Sequence, residues 1–162
     1  MTLSTAMVTD ARQDIVAINP LGRALYSPLF DGVTTRDFYG AWDVTADVLV
    51  ALLRTEAGHN PHDAKTQGLV AELSTTRADF RTRWTAHNIL IHTHGAKMFH
   101  HPEIGRITLT YRSLDLPISA QAVPHLCVCT AEPGSAAEDQ LKLLASWAAP
   151  QPQPTGPTDQ RG

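Results

Sequence analysis

Apolar residues along this chain follow two periods, and the switch between them divides it into three stretches. Near the N-terminus, Thr5-Ala6-Met7-Val8 and Asp14-Ile15-Val16-Ala17-Ile18-Asn19 read as two short strands around a polar turn at 10–13. Asn19-Pro20 closes the second, because Asn caps a helix and Pro suits its first position. The helix that follows carries Leu21, Ala24, Leu25 and Leu29 on its apolar side and is expected to be limited by Pro28. After a loop at 31–33, Thr34 with Asp37 three residues on marks a helix start. Phe38, Trp42, Thr45, Leu49, Leu52 and Leu53 then define one buried stripe, ending at Gly58 before Asn60-Pro61. Asp63 caps a shorter helix with Leu69, Val70 and Leu73 inside, which Ser74-Thr75-Thr76 should break. Phe80 and Trp84, one turn apart, share a face of the next.

From Asn88 the period shortens. Ile89 to His94 reads as a strand ended by Gly95, and Met98-Phe99-His100 as another. His101-Pro102-Glu103-Ile104-Gly105 is a turn. Ile107, Leu109 and Tyr111 then alternate with Thr108, Thr110 and Arg112, the clearest strand pattern in the chain. Val123 to Cys129, apolar apart from His125, is expected to be a strand covered on both faces, with Pro124 near its start. Ser135 and Glu138 form a capping box for a last helix with Leu141, Leu144, Ala145 and Ala148 in one stripe. Strands from both ends must meet in one sheet while the middle helices cover a face. That predicts an α+β domain over 1–149: a PAS-like, five-stranded antiparallel sheet covered by several helices, with a C-terminal helix and a pocket between sheet and helices. Residues 150–162, rich in Pro and Gln, lack the apolar content for a core and are expected to be a disordered tail.

Composition narrows the partners. The 162 residues suit one domain, and a net charge of −3 argues against a phosphate-binding surface over the whole chain. Arg77, Arg81 and Arg83 cluster, but Asp79 lies among them, and a solvated helix face explains the group. No run approaches about 18 apolar residues, and no basic-then-apolar leader opens the chain. A cytoplasmic protein with no membrane partner is therefore the expectation. Cys127 and Cys129 fall on one face of a strand, a poor geometry for a mutual disulfide, and no Cys-x-x-Cys occurs.

Five of the eight histidines lie between Phe80 and Gly105: His87, His92, His94, His100 and His101. His92 and His94 on one strand face suit either a metal or plain exposure; no metalloprotein signature accompanies them, so no metal or cofactor is expected. His101, held extended by Pro102, either caps its turn or reaches into the pocket. Phe80 and Trp84 suit core as well as a ligand floor. The polar tip of Tyr111 needs a partner if buried, and His87 is a candidate. No nucleophile elbow, phosphate-cradling loop or paired carboxylates appear, so the chain is not expected to be an enzyme.

Several runs taken in order carry a family resemblance: Asp14 to Tyr26; Asp37-Phe38-Tyr39-Gly40-Ala41-Trp42; Leu53-Arg54; Leu69 to Leu73; Phe80-x-x-x-Trp84-x-x-His87; Lys97-x-Phe99-x-His101-Pro102-x-x-Gly105; Leu109-Thr110-Tyr111; and Thr130 to Ser135. From about Met7 to Trp147 the chain resembles the MmyB-like transcription regulator ligand-binding domain. The resemblance implies a PAS-like sensor of an apolar, fatty-acid-like small molecule. DNA is then bound only through a helix-turn-helix domain that normally precedes the sensor, and this chain begins at the sensor's first strand. The stretch between Leu29-Phe30 and Asp37 is shorter than the family's usual pattern, which implies an open, shallow or refilled cavity. Phe80, Trp84, His87, Phe99, His101 and Tyr111 are the ligand-lining candidates. The competing expectation is a ligand-free dimerisation or interaction module, or a degenerate remnant of such a regulator, working as a homodimer.

Overall fold

Backbone pairing between the two ends of the chain closes a single sheet. The computed structural model describes residues 3–86, 93–119 and 123–149. In order they form β1 (Ser4–Thr9), β2 (Ile15–Ile18), α1 (Pro20–Phe30), α2 (Thr35–Phe38), α3 (Trp42–His59), α4 (Ala64–Thr76), α5 (Ala78–Ala86), β3 (His94–His101), β4 (Gly105–Asp115), β5 (His125–Thr130) and α6 (Ala136–Ala148). The five strands pair antiparallel in the order β2-β1-β5-β4-β3, so the first strand lies beside the last. This is the α+β, PAS-like arrangement expected from the pattern.

Register sorts the side chains. Phe99 faces Ile107, Tyr111 faces Cys129, and Cys129 faces Thr5, all on the helix-covered side and all buried. Leu21, Leu25 and Tyr26 of α1, Phe38 of α2, and Leu141 and Leu144 of α6 close over them. Tyr26, Phe38 and Phe99 form a triangle of rings with centroids 5.9, 5.7 and 5.4 Å apart, the tilted and edge-on contacts that aromatic quadrupoles favour. A second cluster (Val50, Leu53, Phe80, Leu69, Val70, Leu73 and Trp84) holds α3, α4 and α5 together. Arg83 ties α5 back to α3 through Asp43 and Asp47, and Arg81 donates to the Ser74 carbonyl, so these arginines serve the helix layer.

Asn19 joins sheet to helix. Its side-chain oxygen accepts from Gly22 N at 2.7 Å and Ala6 N at 3.0 Å, while Nδ2 donates to the Ser4 carbonyl at 3.0 Å. Gly22 is required there: a Cβ would sit 2.8 Å from Asn19 Oδ1 and 3.1 Å from the Ala6 carbonyl.

Several expectations need correction. Pro28 does not limit α1 but lies inside it, because a proline in the last turn removes only one helical hydrogen bond. The single helix expected from Thr34 to Gly58 is two. Thr34 caps α2, and then Tyr39-Gly40 turns extended against β3, with Gly40 N donating to the Met98 carbonyl at 2.9 Å. That pairing covers part of an edge strand and costs the helix its continuity. The buried stripe of α3 is Ala46, Val50, Ala51 and Leu53, leaving Leu49 and Leu52 half-buried. α4 continues through Thr76 and breaks at Arg77. Gly95 does not end a strand; it lies within β3, where the Tyr111 ring occupies the space a side chain would need. β5 is covered on one face only, with Cys129 buried and Leu126 and Val128 half-exposed on the other. Of the strand expected at Ile89–His94, residues 89–92 lie outside the described residues and His94 opens β3; the tail at 150–162 also lies outside them.

Candidate functional site

Among the described residues, open space lies between the second half of α3 and one end of the sheet. α3 is held by α4 and α5 rather than by the strands, so its sheet-facing side stands off. A cleft of about 400 Å³ separates Leu52, Thr55, Glu56 and His59 of α3 from Ser113, Asp115 and His125 on the helix-facing side of β4 and β5. A neighbouring, more open cleft of about 560 Å³ lies between the β1–β2 turn and the α3–α4 loop. The two share Glu56, His59, Asn60 and Val123 along their common rim.

Ser113, Asp115 and His125 bring polar groups to the strand side. His125 Nδ1 lies 2.7 Å from Asp115 Oδ1, across the register pair that β4 and β5 form there. With Nδ1 committed to the carboxylate, Nε2 is the free nitrogen of the ring. On the opposite wall Asn60 Nδ2 donates to Glu56 Oε1 at 2.7 Å. Leu52 and Val123 supply the apolar surface. One step further along the same sheet face come Cys127, paired with Ser113, and Lys97, whose ammonium lies 3.6 Å from Cys127 Sγ and 4.6 Å from the Tyr111 ring centre. A hydrogen bond from the Cys129 thiol, reinforced by Lys97, draws the Cys127 thiol below the ordinary range. The same bond, with burial, pushes Cys129 up. Burial also raises Tyr26 and Tyr39, which remain protonated phenols. Among the described residues no three His, Cys, Asp or Glu side chains converge as metal ligands do.

The ligand-lining candidates fall into two separate groups. Phe80 is buried in the α3–α4–α5 cluster and stacks on half-buried Trp84 with centroids 5.4 Å apart. The Arg54 guanidinium lies over that indole, 4.4 Å from its centre, and donates to the Trp84 carbonyl. Phe99 is enclosed by Tyr26, Phe38 and Tyr39. His101, 3% exposed, accepts from Glu103 N through Nδ1 at 3.2 Å, so its proton is on Nε2, 3.3 Å from the Ala24 carbonyl. That carbonyl is the one Pro28 leaves without a helical N–H. Tyr111, buried, stands two residues before Ser113 on the same face and is the candidate nearest the cleft. His87 and its pairing with Tyr111 lie outside the described residues, as does His92; His94 is exposed.

Leu52, His59, Ser113, Asp115 and His125 were not among the candidates. His125 did interrupt an apolar run, which is a signal. The partner that makes it informative, Asp115, emerges only from the β4–β5 register.

Residues 1–144 match the family model described as MmyB-like transcription regulator ligand binding domain. The chain belongs to this family. It is therefore a ligand-binding domain of the kind found in transcription regulators, and the family is not one of known enzymes. No curated protein matched. Among the described residues no helix is long and apolar enough to cross a membrane.

Proposed function

We propose that this domain senses a small amphipathic molecule, fatty-acid-like in having an apolar body and a polar head, held between α3 and the sheet. The observation that carries this reading is the cleft between Leu52–His59 and Ser113–Asp115–His125, in a chain from a ligand-binding family. Pockets that bind such molecules are usually a few hundred Å³ and combine apolar walls with a few convergent polar groups. Here Leu52 and Val123 take the body, and Thr55, Ser113 and His125 meet the head. Tyr111 closes the inner end. Phe99 and His101 fix the sheet behind it, and Phe80 and Trp84 hold α3 at its distance. Occupancy would bias the position of α3, and a partner DNA-binding domain of the regulator would read that position.

Native mass spectrometry after mild purification, with thermal shift against saturated acids of roughly C10–C18, tests the proposal. Ligand at 100 times its Kd adds about 2.7 kcal/mol to stability. We expect a co-purified or added acid to raise the melting temperature of the wild type and not of Leu52→Trp, in which the indole fills the cleft. No bound molecule and no shift with any acid would overturn the reading.

One observation favours a second reading, an interaction module working as a homodimer. Leu114 on the outer sheet face is 52% exposed, Val16 on the edge strand 63%, and Trp147 of α6 50%. Sedimentation that depends on concentration, together with indifference to every acid, would select it.

A further inference from the structure

Lys97 sits half-buried on the helix-facing side of β3, and among the described residues no carboxylate lies within ion-pair distance of it. An ammonium drawn from water needs a compensating charge. The group in reach is Cys127 Sγ at 3.6 Å, and the nitrogen also lies over the Tyr111 ring, 4.6 Å from its centre. Cys129 completes the cluster and is fully buried, whereas Cys127 keeps partial access to solvent. Cys127 adjoins the cleft: it is the register partner of Ser113 and lies two residues past His125 on the same face, and both of those line it.

We propose that Cys127 is a covalent modification site, a thiolate paired with Lys97 that adds soft electrophiles of the α,β-unsaturated carbonyl class entering through the cleft. The sulfur lone pair forms a C–S bond to the β-carbon. The alkene π pair shifts to give the enolate, and the Lys97 ammonium supplies the proton that the α-carbon takes up. Lys97 recovers a proton from water, and nothing is oxidised or reduced. A disulfide with Cys129 is the less suited outcome, because neighbouring side chains on one strand face have the wrong Cβ geometry for it. The site reaches beyond the amphiphile reading and does not need it, since adduct formation is read by mass alone.

The groups facing the sulfur sort its pH response. Lys97 is the cation at the sulfur, Cys129 is the hydrogen-bond donor, and Tyr26 and Tyr39 approach from α1 and the α2–α3 loop as neutral phenols. The His125–Asp115 pair lies two register positions away on the same face. The draw on the Cys127 thiol supports a thiolate at neutral pH.

The test is the rate of N-ethylmaleimide addition to the full chain between pH 5 and 9, followed by intact mass and peptide mapping, with iodoacetamide as a second probe. We expect single addition at Cys127, with a midpoint below neutrality. Lys97→Gln should raise the midpoint part of the way toward the free-thiol value near 8.5 and slow addition about severalfold at pH 7, the Cys129 bond keeping the rest of the draw, and Lys97→Arg should restore it. Labelling at Cys129 first, a wild-type midpoint near 8.5, or reaction only in urea would overturn the proposal. The wild-type profile and the mapped site decide even if Lys97→Gln fails to fold.

Discussion

His101 and Pro28 show how far a single side chain's meaning depends on a distant one. Pro28 has no N–H for the Ala24 carbonyl, and the imidazole of His101, 77 residues on, helps Ser27 Oγ to satisfy it. His101→Ala should therefore cost about 1–3 kcal/mol in urea unfolding, because it takes one of two partners from the Ala24 carbonyl and the acceptor from the Glu103 amide. Pro28→Ala in the same background should recover part of that loss, because the restored amide takes the carbonyl over. Simple additivity of the two changes would refute the coupling. Asn19→Ala should cost about 2–4 kcal/mol, since it removes a helix cap and strands two strand groups together. Asn19→Asp keeps the accepted bonds and loses only the donated one, so it should cost less.

At the scale of elements, the helices divide into those that belong to the sheet and those that belong to each other. α1, α2 and α6 share the sheet's core; α3, α4 and α5 share the Phe80 cluster. Phe80→Ala should cost about 3–5 kcal/mol. By hydrogen exchange it should loosen α3 to α5 while β1, β4 and β5 keep their protection; equal loss in both layers would show that they open as one. α6 carries a pH response of known sign. Gly134 N donates to Glu138 Oε2 at 2.9 Å and Lys142 approaches at 3.3 Å, which holds that carboxyl below its ordinary range. A depressed folded value means the contribution is full above the unfolded value of about 4.3 and disappears as pH falls through the folded one. Glu138→Gln should thus lower the melting temperature at pH 7, and the gap to wild type should close on acidification toward pH 3.

For the whole molecule, the decisive feature is that α3 stands away from the strands it crosses. Filling that gap with Leu52→Trp should leave the fold standing, and by bridging helix and sheet it should slow hydrogen exchange in α3. Much of the surrounding architecture was legible beforehand. The alternation Ile107, Leu109, Tyr111 gave β4 with its inward face, the Ser135–Glu138 box gave the start of α6, and Asn19-Pro20 gave that of α1. The break at Tyr39-Gly40 was not legible, because α2 and α3 separate only where the chain stops to pair with β3, more than fifty residues later. Phe80 and Trp84 were read together correctly as neighbours, but their helix period could not say which layer they would join.

Sequence alone set the local events and the class: which segments alternate and which turn at 3.6 residues, where caps fall, that two terminal strands and three later ones must share one sheet, and which family the motifs resemble. Those follow from backbone sterics and near-neighbour hydrogen bonds, which a linear string contains. The tertiary structure decided the site. His125 and Asp115 meet through strand register, Lys97 and Cys127 meet across two strand pairings, and the cleft exists because α3 finds its apolar partners in α4 and α5. Distances between residues far apart in the chain are set by the packing of whole layers, and periodicity carries no information about them.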